Sequence, residues 1–297
     1  MSARPHRLVL SVDLDEWFHS RRWTASVQTD TIPDMPALLR QLYGRDRPAG
    51  ELVAPTRTLL DLFDRHGVKA TFFVLGEVAE WYPDLVVELA ARGHEIGCHG
   101  FHHVDMTVLG PEAFGADLDR ALAVLTPLAG RPPVGYRAPN LVYAPWATRA
   151  LESRGFAYDT TVCVSRPIGG KYHGWAQAPH HPYHPSYDDV GRPGNARLVE
   201  LPLPSFPVFN LSAGSGIMTR VFGFHWTMTA LRHRIRTGDT GFYFHPWEVA
   251  PRPPAAGRTW RTALFYRRTG RWMLDAVDRI LTRFRGRVVT AREAAGA

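Results

Sequence analysis

Short apolar segments alternate along the chain with longer segments in which apolar residues recur at helical spacing. The short segments predict strands over 8–13, 69–75, 94–98, 134–136, 156–159, 198–203, 241–245 and 287–290. The longer segments predict helices over 56–66, 77–92, 111–128, 145–154, 225–236 and 262–285. Strands that alternate with helices form parallel sheets through helical crossovers. We therefore expect an α/β fold, a closed or nearly closed barrel of about seven strands.

Two long segments lack this alternation. Residues 17–54 contain three prolines and are expected to form a loop. Residues 163–197 are rich in Gly, Pro, His and Tyr and show no periodicity. A segment of that length inside a compact domain usually serves as a lid or a binding loop. We expect residues 1–297 to form one domain, with 163–197 inserted beside its active site.

Titratable side chains follow five of the predicted strands at their C-terminal ends. The active sites of α/β barrels lie on that face, so these side chains are the candidates for chemistry. They are Asp13 and Asp15 after the first strand, His99 and His103 after the third, then Arg137, Asp159 and His245.

His99 and His103 are the sharpest local signal for a metal site. Two histidines four residues apart face the same side if the segment forms a helical turn, whereas His102 then points elsewhere. Two imidazoles and one carboxylate hold a divalent ion and leave positions open for water and substrate. The two cysteines are too few for a Cys-rich zinc site or a disulfide scaffold.

A second histidine cluster lies in the insertion, where His180 and His184 have the same spacing. Prolines at 179, 182 and 185 disfavour a helical turn there. We therefore favour a flexible loop at the substrate mouth over a second metal site.

The C-terminal segment carries the formal net charge of +7, because residues 258–297 contain ten arginines against three acidic residues. This surplus favours weak contact with an anionic membrane surface or a phosphate-bearing substrate, although a solvated basic face has the same composition. No nucleic-acid recognition motif accompanies the charge, so no nucleic-acid partner is expected. The oligomeric state is left open.

The N-terminal apolar run is too short for a secretion signal, and no stretch reaches the length of a membrane-spanning helix. This pattern predicts a cytoplasmic protein.

Taken together, five motifs resemble those of the polysaccharide deacetylases, the carbohydrate esterases with a NodB-homology domain. The motifs are Ser11-Val12-Asp13-Leu14-Asp15-Glu16-Trp17-Phe18, His99 to His103, Arg137-Ala138-Pro139, Tyr158-Asp159, and Tyr243-Phe244-His245-Pro246-Trp247-Glu248. The sequences around Trp17, Asp159 and Trp247 look most like the subgroup linked to exopolysaccharide biosynthesis. The resemblance implies a deformed (β/α) barrel and removal of an N-acetyl group from an amino sugar in a glycan or glycoconjugate.

The resemblance also implies roles for the strand-end residues. Asp15, His99 and His103 would hold a divalent metal, zinc first and cobalt, nickel or manganese as alternatives. Asp13 would be the base and His245 the acid. Leu14 separates the two aspartates where the family usually has them adjacent, so the division between base and ligand stays open, with Glu16 as an outside candidate.

Further implied roles belong to residues around this centre. Arg137 would hold Asp13 ionised, Asp159 would orient His245, and the backbone N–H of Asn140 would bind the oxyanion. Asn140 stands where an aromatic residue is common. The residues expected to contact the sugar are Pro139, Asn140, Trp17, Trp247, Tyr172 and Trp175.

Three alternatives stay open. One is another amidase on the same fold, which removes a formyl group from a lipid-linked or biosynthetic amino sugar or opens a cyclic ureide or imide. A second is a non-catalytic glycan-binding module, which has no need of Asp13 and His245 together. A third is an adaptor that uses the basic segment at a membrane surface.

Overall fold

The first strand, β1 (Leu8–Leu14), lies inside the sheet, and all seven of its residues are buried. Both of its faces are covered, as parallel sheets require. Leu8, Leu10, Val12 and Leu14 pack with the helices in the main hydrophobic cluster. Val9, Ser11 and Asp13 face the barrel interior, because side chains alternate along a strand. This alternation places Ser11 and Asp13 inside the barrel, toward the C-terminal end of β1.

The computed structural model describes residues 5–20, 34–167, 174–252 and 260–297. The other strands are β2 (Thr71–Val74), β3 (Glu95–Cys98), β4 (Gly135–Tyr136), β5 (Tyr158–Asp159), β6 (Val199–Glu200), β7 (Thr240–Phe244) and β8 (Val288–Val289). The sheet order is β6-β5-β4-β3-β2-β1-β7, and β8 pairs with the first two residues of β1. All the pairs are parallel. The α/β barrel predicted from the sequence is confirmed.

The barrel is deformed because β6 and β7 are the two outer strands of this order. Single bridges, Cys163 with Leu203 and Ser215 with Tyr243, bring the intervening chain against the two ends. A cavity of about 10 Å³ lies beside this seam, lined by residues that include Ser11, Arg137 and Thr160.

The helices cover the sheet on its outer side. Their bounds are Met35–Tyr43, Val53–His66, Gly76–Trp81, Pro83–Ala91, Met106–Ala129, Ala147–Glu152, Gly216–Phe222, Phe224–Arg234, Trp260–Phe265, Arg271–Arg283 and Ala291–Ala295. Short 3₁₀ turns span Trp17–Ser20, Pro139–Leu141 and Pro246–Val249. Within the described ranges, no helix has the length and apolar character needed to cross a bilayer.

Two predicted helices are each divided in two. The segment predicted over 77–92 breaks at Pro83, which begins the second helix, since proline cannot donate the hydrogen bond that a helix interior needs. The segment predicted over 262–285 breaks before Gly270, whose φ of 77° belongs to the left-handed region.

Residues 17–54 are not a loop throughout, because Met35–Tyr43 is a helix. Asp34 caps it, with Oδ1 accepting a hydrogen bond from the Ala37 N–H at 3.0 Å. At the other end Tyr43 Oη accepts a hydrogen bond from Trp17 Nε1 at 3.1 Å. The helix thus supports the segment that follows β1.

Replacing the cap with Asp34→Ala is expected to lower the free energy of unfolding by about 1 kcal/mol, because the first-turn N–H loses its acceptor. Urea denaturation followed by circular dichroism measures the change. Asp34→Asn is the matched control and should retain most of the stability, since asparagine caps helices about as well. Equal loss in both variants would show that the cap hydrogen bond contributes nothing.

Candidate active site

Arg137 and Asp13 form a buried ion pair at the top of the barrel interior. Arg137 Nη1 donates to Asp13 Oδ1 at 2.5 Å, and Nη2 donates to Ser11 Oγ at 2.9 Å. Arg137 Nε donates to the Thr160 carbonyl at 3.1 Å. The guanidinium group therefore joins β1 to the chain that follows β5, and it has the contact with Asp13 that the sequence analysis expected.

His99 and His103 come together, although not by a helical turn. Residues 99–103 form a bend, and Gly100 has a φ of 87°. The two ring centroids are 5.3 Å apart. His99 Nδ1 donates to the Arg137 carbonyl at 2.7 Å, which leaves Nε2 as the ring atom with a lone pair.

Asp15 lies next to His103, with 3.8 Å between Asp15 Oδ2 and His103 Nε2. Trp247 Nε1 donates to Asp15 Oδ1 at 3.1 Å. Asp15 Oδ2 is buried and has no hydrogen-bond partner. A buried carboxylate oxygen without a donor calls for a partner of another kind, and a cation is one.

The charge states of these groups suit a divalent ion. Burial lowers the pKa of His99 to about 4 and that of His103 well below its usual range, so both imidazoles are neutral near pH 7. Burial raises the pKa of Asp15 to about 6. Across the described ranges, no three His, Cys, Asp or Glu side chains lie close enough together to form a complete metal site. The donor chemistry fits a metal, and ligation itself stays a prediction.

His245 pairs with Glu248 and not with Asp159. His245 Nδ1 donates to Glu248 Oε1 at 2.9 Å, and Arg220 Nε donates to Glu248 Oε2 at 2.5 Å. Although burial opposes it, the charges of Asp15 and Glu248 raise the pKa of His245 to about 9. Arg220 likewise outweighs burial and lowers the pKa of Glu248. His245 is therefore an imidazolium near neutral pH.

The expectation that Asp159 orients His245 is corrected. Its carboxylate accepts from Thr161 Oγ1 at 2.7 Å and from the Thr161 N–H at 3.1 Å. Burial raises the pKa of both Asp159 and Glu200. Thr161 Oγ1 in turn accepts the Ala138 N–H at 2.9 Å. Asp159 therefore supports the turn that follows Arg137.

That turn spans Pro139–Leu141, and Asn140 adopts a φ of 55°. Asn140 Nδ2 donates to Asp105 Oδ1 at 2.7 Å, which fixes the side chain and with it the backbone. Pro139 is buried at the first position of the turn. A role for the Asn140 N–H in binding an oxyanion stays a prediction.

The aromatic residues expected to contact substrate occupy different positions. Trp17 and Trp247 are buried in one hydrophobic cluster, and a sugar contact for these two stays a prediction. Trp247 stacks on His245, with ring centroids 5.0 Å apart. Trp175 is half-buried and packs against Val162 and its neighbours. Tyr172 lies outside the described residues.

A second polar layer, which the sequence analysis missed, lies behind the histidine pair. His19 stacks on His103, with ring centroids 5.6 Å apart. Glu77 lies 3.3 Å from His19 Nε2 and accepts from His102 Nδ1 at 3.0 Å. The His102 hydrogen bond and the nearby His19 outweigh burial and lower the pKa of Glu77 to about 2. His102 is directed toward Glu77, although no helical turn forms.

The remaining missed residues are Glu248 and Arg220. The spacing of Glu248, three residues after His245 at the start of a 3₁₀ turn, is a local signal that could have identified it. Arg220 lies on a different helix, and nothing in the sequence around it points to the site. In the insertion, His184 Nδ1 donates to the Leu198 carbonyl at 3.2 Å, and a second metal site there stays untested.

Comparison with known proteins identifies two adjoining family matches. Residues 30–158 match the polysaccharide deacetylase model, and residues 163–290 match a domain of unknown function, DUF3473. Curated relatives include a peptidoglycan deacetylase-like protein of Gibberella zeae, 36% identical over 35% of this chain and 31% of its own length. A peptidoglycan-N-acetylglucosamine deacetylase of Bacillus cereus is 30% identical over 35% and 44%. The chain thus spans less than half the length of these two relatives.

Solved structures with the same fold cover almost the whole chain. A Mycobacterium smegmatis protein assigned to the polysaccharide deacetylases has a TM-score of 0.66 at 19% identity, with 100% of this chain and 91% of that one covered. The Puue allantoinase has a TM-score of 0.60 at 17% identity, with 99% and 93% covered. A CE4 family pseudoenzyme of Bacillus anthracis has a TM-score of 0.53 at 10% identity, with 98% and 66% covered. At these identities the likeness shows the fold alone.

Replacing the partner of His245 with Glu248→Gln is expected to lower the pKa of His245 from about 9 toward its usual value of 6.5. Because Asp15 and Glu248 raise the pKa of His245, its protonation stabilises the folded protein fully below about pH 6.5, and that contribution is lost as the pH rises through 9. Histidine NMR titration of the metal-free protein measures the pKa, and unfolding at a series of pH values measures the stability.

Asp159→Asn is the matched control, because the Asp159 carboxylate accepts hydrogen bonds from Thr161 instead. It should leave the His245 titration nearly unchanged. A larger shift in Asp159→Asn than in Glu248→Gln would restore Asp159 as the residue that sets the charge of His245.

Proposed function

We propose that the chain hydrolyses the N-acetyl group of an amino sugar in a glycan or glycoconjugate, since residues 30–158 match the polysaccharide deacetylase model. The observation that carries this proposal is that a negatively charged group and a positively charged group lie at the same end of the barrel. Asp13 is a carboxylate bound by Arg137, and His245 is an imidazole kept protonated beside Glu248. A base and an acid with separate environments are what hydrolysis of an amide needs.

Asp15, His99 and His103 would hold the divalent metal that this chemistry calls for, with zinc as the first choice and cobalt, nickel or manganese as alternatives. A bound ion would lower the pKa of its water and polarise the amide carbonyl. Each of the three residues would contribute one atom: Asp15 Oδ2, which has no hydrogen-bond partner, and the Nε2 atoms of the two neutral imidazoles. Trp247 and the Arg137 carbonyl hold the other atoms of Asp15 and His99 in place.

In the first step Asp13 takes a proton from the attacking water while the new C–O bond forms at the carbonyl carbon. Arg137 keeps one oxygen of Asp13 occupied, so the other oxygen is the one that accepts the proton. The backbone N–H of Asn140 would bind the oxyanion as it develops.

In the second step His245 gives its proton to the departing nitrogen, and the C–N bond breaks to leave acetate and a free amine. Glu248 holds the Nδ1 side of the ring, so Nε2 is the atom that delivers the proton. Arg220 balances the charge of Glu248 while His245 becomes neutral.

Two alternatives keep a specific observation in their favour. The fold is shared with an allantoinase, which keeps opening of a cyclic ureide open, and with a pseudoenzyme, which keeps a non-catalytic role open. The base and acid groups present at the site favour an enzyme over a binding module.

We also propose that residues 1–297 act as one domain, because the sheet takes strands from both matched segments.

A screen for acetate release over N-acetylhexosamine oligomers, lipid-linked sugars and nucleotide sugars, with and without a chelator, tests the proposed activity. We expect release that the chelator abolishes and added zinc restores. Release of formate, or turnover of a cyclic ureide without any acetate from sugars, would favour the corresponding alternative.

The roles within the site are separable by three substitutions. Asp13→Asn should lower turnover by about 10²–10⁴-fold through loss of the base, while the bound metal is retained. His99→Ala should lose the metal. His102→Ala is the matched control and should retain the metal, since His102 contacts Glu77 instead of the site. Turnover and metal content by mass spectrometry are measured on the same samples, and loss of metal in Asp13→Asn would exchange the roles of the two aspartates.

A further inference from the structure

The large exposed apolar side chains concentrate on one face of the protein. Of six in the described residues, five lie between positions 208 and 264, and the sixth is Val87. Their exposed fractions are 76% for Val208, 57% for Phe209, 48% for Phe222, 72% for Trp260 and 43% for Leu264. Five such residues in so short a stretch mark a surface that meets another apolar phase.

Ring contacts join Phe209 and Phe222, and helix packing brings Leu264 near them. Phe206 stacks on Trp226 with centroids 3.9 Å apart, and Phe209 lies 5.9 Å from Phe206 in nearly the same orientation. Phe222 stacks on Trp226 at 4.7 Å. The helix Gly216–Phe222 packs against the helix Trp260–Phe265, which carries Leu264. We call the five exposed residues the apolar face; they are Val208, Phe209, Phe222, Trp260 and Leu264.

The helices that carry Phe222 and Leu264 also pack against the residues that hold His245. Phe265 stacks on Trp247, which stacks on His245, at centroid distances of 5.5 and 5.0 Å. On the other helix, Arg220 bonds Glu248, the partner of His245. The two elements that support His245 are therefore the ones that present Phe222 and Leu264.

Positive charge lies next to the apolar face, where exposed arginines follow the helix of Leu264 before any acidic residue. Arg267 and Arg268, which follow the helix of Leu264, are exposed. Aromatic and aliphatic side chains beside arginines suit the interface of an anionic bilayer, where apolar groups enter the lipid and guanidinium groups meet phosphates.

We infer that the apolar face docks this protein on an anionic membrane, so that the catalytic mouth meets an N-acetylated sugar carried on a lipid. The choice of lipid-linked sugar rests on the proposed deacetylase function, whereas the docking does not. Val208 and Leu264 favour a bilayer over a glycan polymer, because aliphatic side chains offer no flat ring for a sugar to stack on.

The test is co-sedimentation with vesicles of phosphatidylcholine alone or with about one third phosphatidylglycerol, which supplies the negative charge. The wild-type protein should bind the anionic vesicles more strongly. Phe209→Ser combined with Phe222→Ser should weaken that binding by about tenfold or more, because two rings lose their burial in lipid. Val87→Ser is the matched control on the helix Pro83–Ala91 and should have no effect.

Charge is tested separately. Arg267→Gln should weaken binding to anionic vesicles by about fivefold and leave binding to neutral vesicles unchanged. Arg131→Gln, an exposed arginine after the helix Met106–Ala129, is the control and should not alter either. Thermal unfolding of each variant shows that the fold is retained.

Three results would overturn the docking. The first is equal vesicle binding by the double phenylalanine variant and the wild type. The second is loss of chitooligosaccharide binding in that variant with no vesicle binding in the wild type, which would make the face a glycan platform. The third is a change from dimer to monomer in that variant without a change in vesicle binding, which would make it a self-association surface.

The substrate class is tested on an N-acetylglucosaminyl lipid in vesicles and on the same sugar in solution. The wild type should hydrolyse the vesicle-borne sugar faster, and the double variant should lose that advantage while it retains the rate in solution. Vesicle binding without any acetate release would overturn the proposed function and leave the docking intact. Acetate release at equal rates from both forms would overturn the lipid-linked substrate alone.

Discussion

The buried ion pair between Arg137 and Asp13 is the interaction on which the site depends. A guanidinium group inside a barrel is costly to desolvate, and its hydrogen bonds to Asp13, Ser11 and Thr160 offset that cost. Arg137 also lies over the rings of Phe73 and Tyr243, at 4.4 and 4.7 Å from their centroids. A lysine could reproduce neither the forked hydrogen bonds nor this sandwich. The pair fixes β1 relative to the chain after β5, and the Arg137 carbonyl then orients His99.

Arg220 and Glu248 repeat the same arrangement on the other side of the site. Both residues are fully buried, and each compensates the charge of the other. In the proposed mechanism the first pair would hold a carboxylate that accepts a proton, and the second would hold an imidazolium that donates one. The chemistry proposed for this end of the barrel is therefore a consequence of two buried arginines that sit on different elements.

The sequence predicted the parallel barrel and the grouping of its strand-end residues, because alternating β and α patterns leave few topologies and all parallel strands end on one face. It placed Asp13, Asp15, His99, His103, Arg137 and His245 at that face. It could not identify Arg220, since a residue 25 positions before His245 reaches the site only through tertiary packing. The sequence assigned Asp159 to orient His245, whereas Glu248 is the carboxylate that bonds it, for the same reason. The family motifs indicate a carboxylate beside His245, and only side-chain geometry shows which one it is. The break at Pro83 was readable from the rule for proline, whereas the burial of Trp17 and Trp247 depends on the helix Met35–Tyr43, which the proline-rich pattern concealed.

The open seam between β6 and β7 has a consequence for the electrostatics of Arg137. The cavity beside the seam has room for about one water molecule, and Arg137 and Ser11 are among the residues that line it. Burying a charged group costs most free energy where protein surrounds it completely. The incomplete closure of the barrel leaves space beside the guanidinium group and so lowers the desolvation cost of burying Arg137.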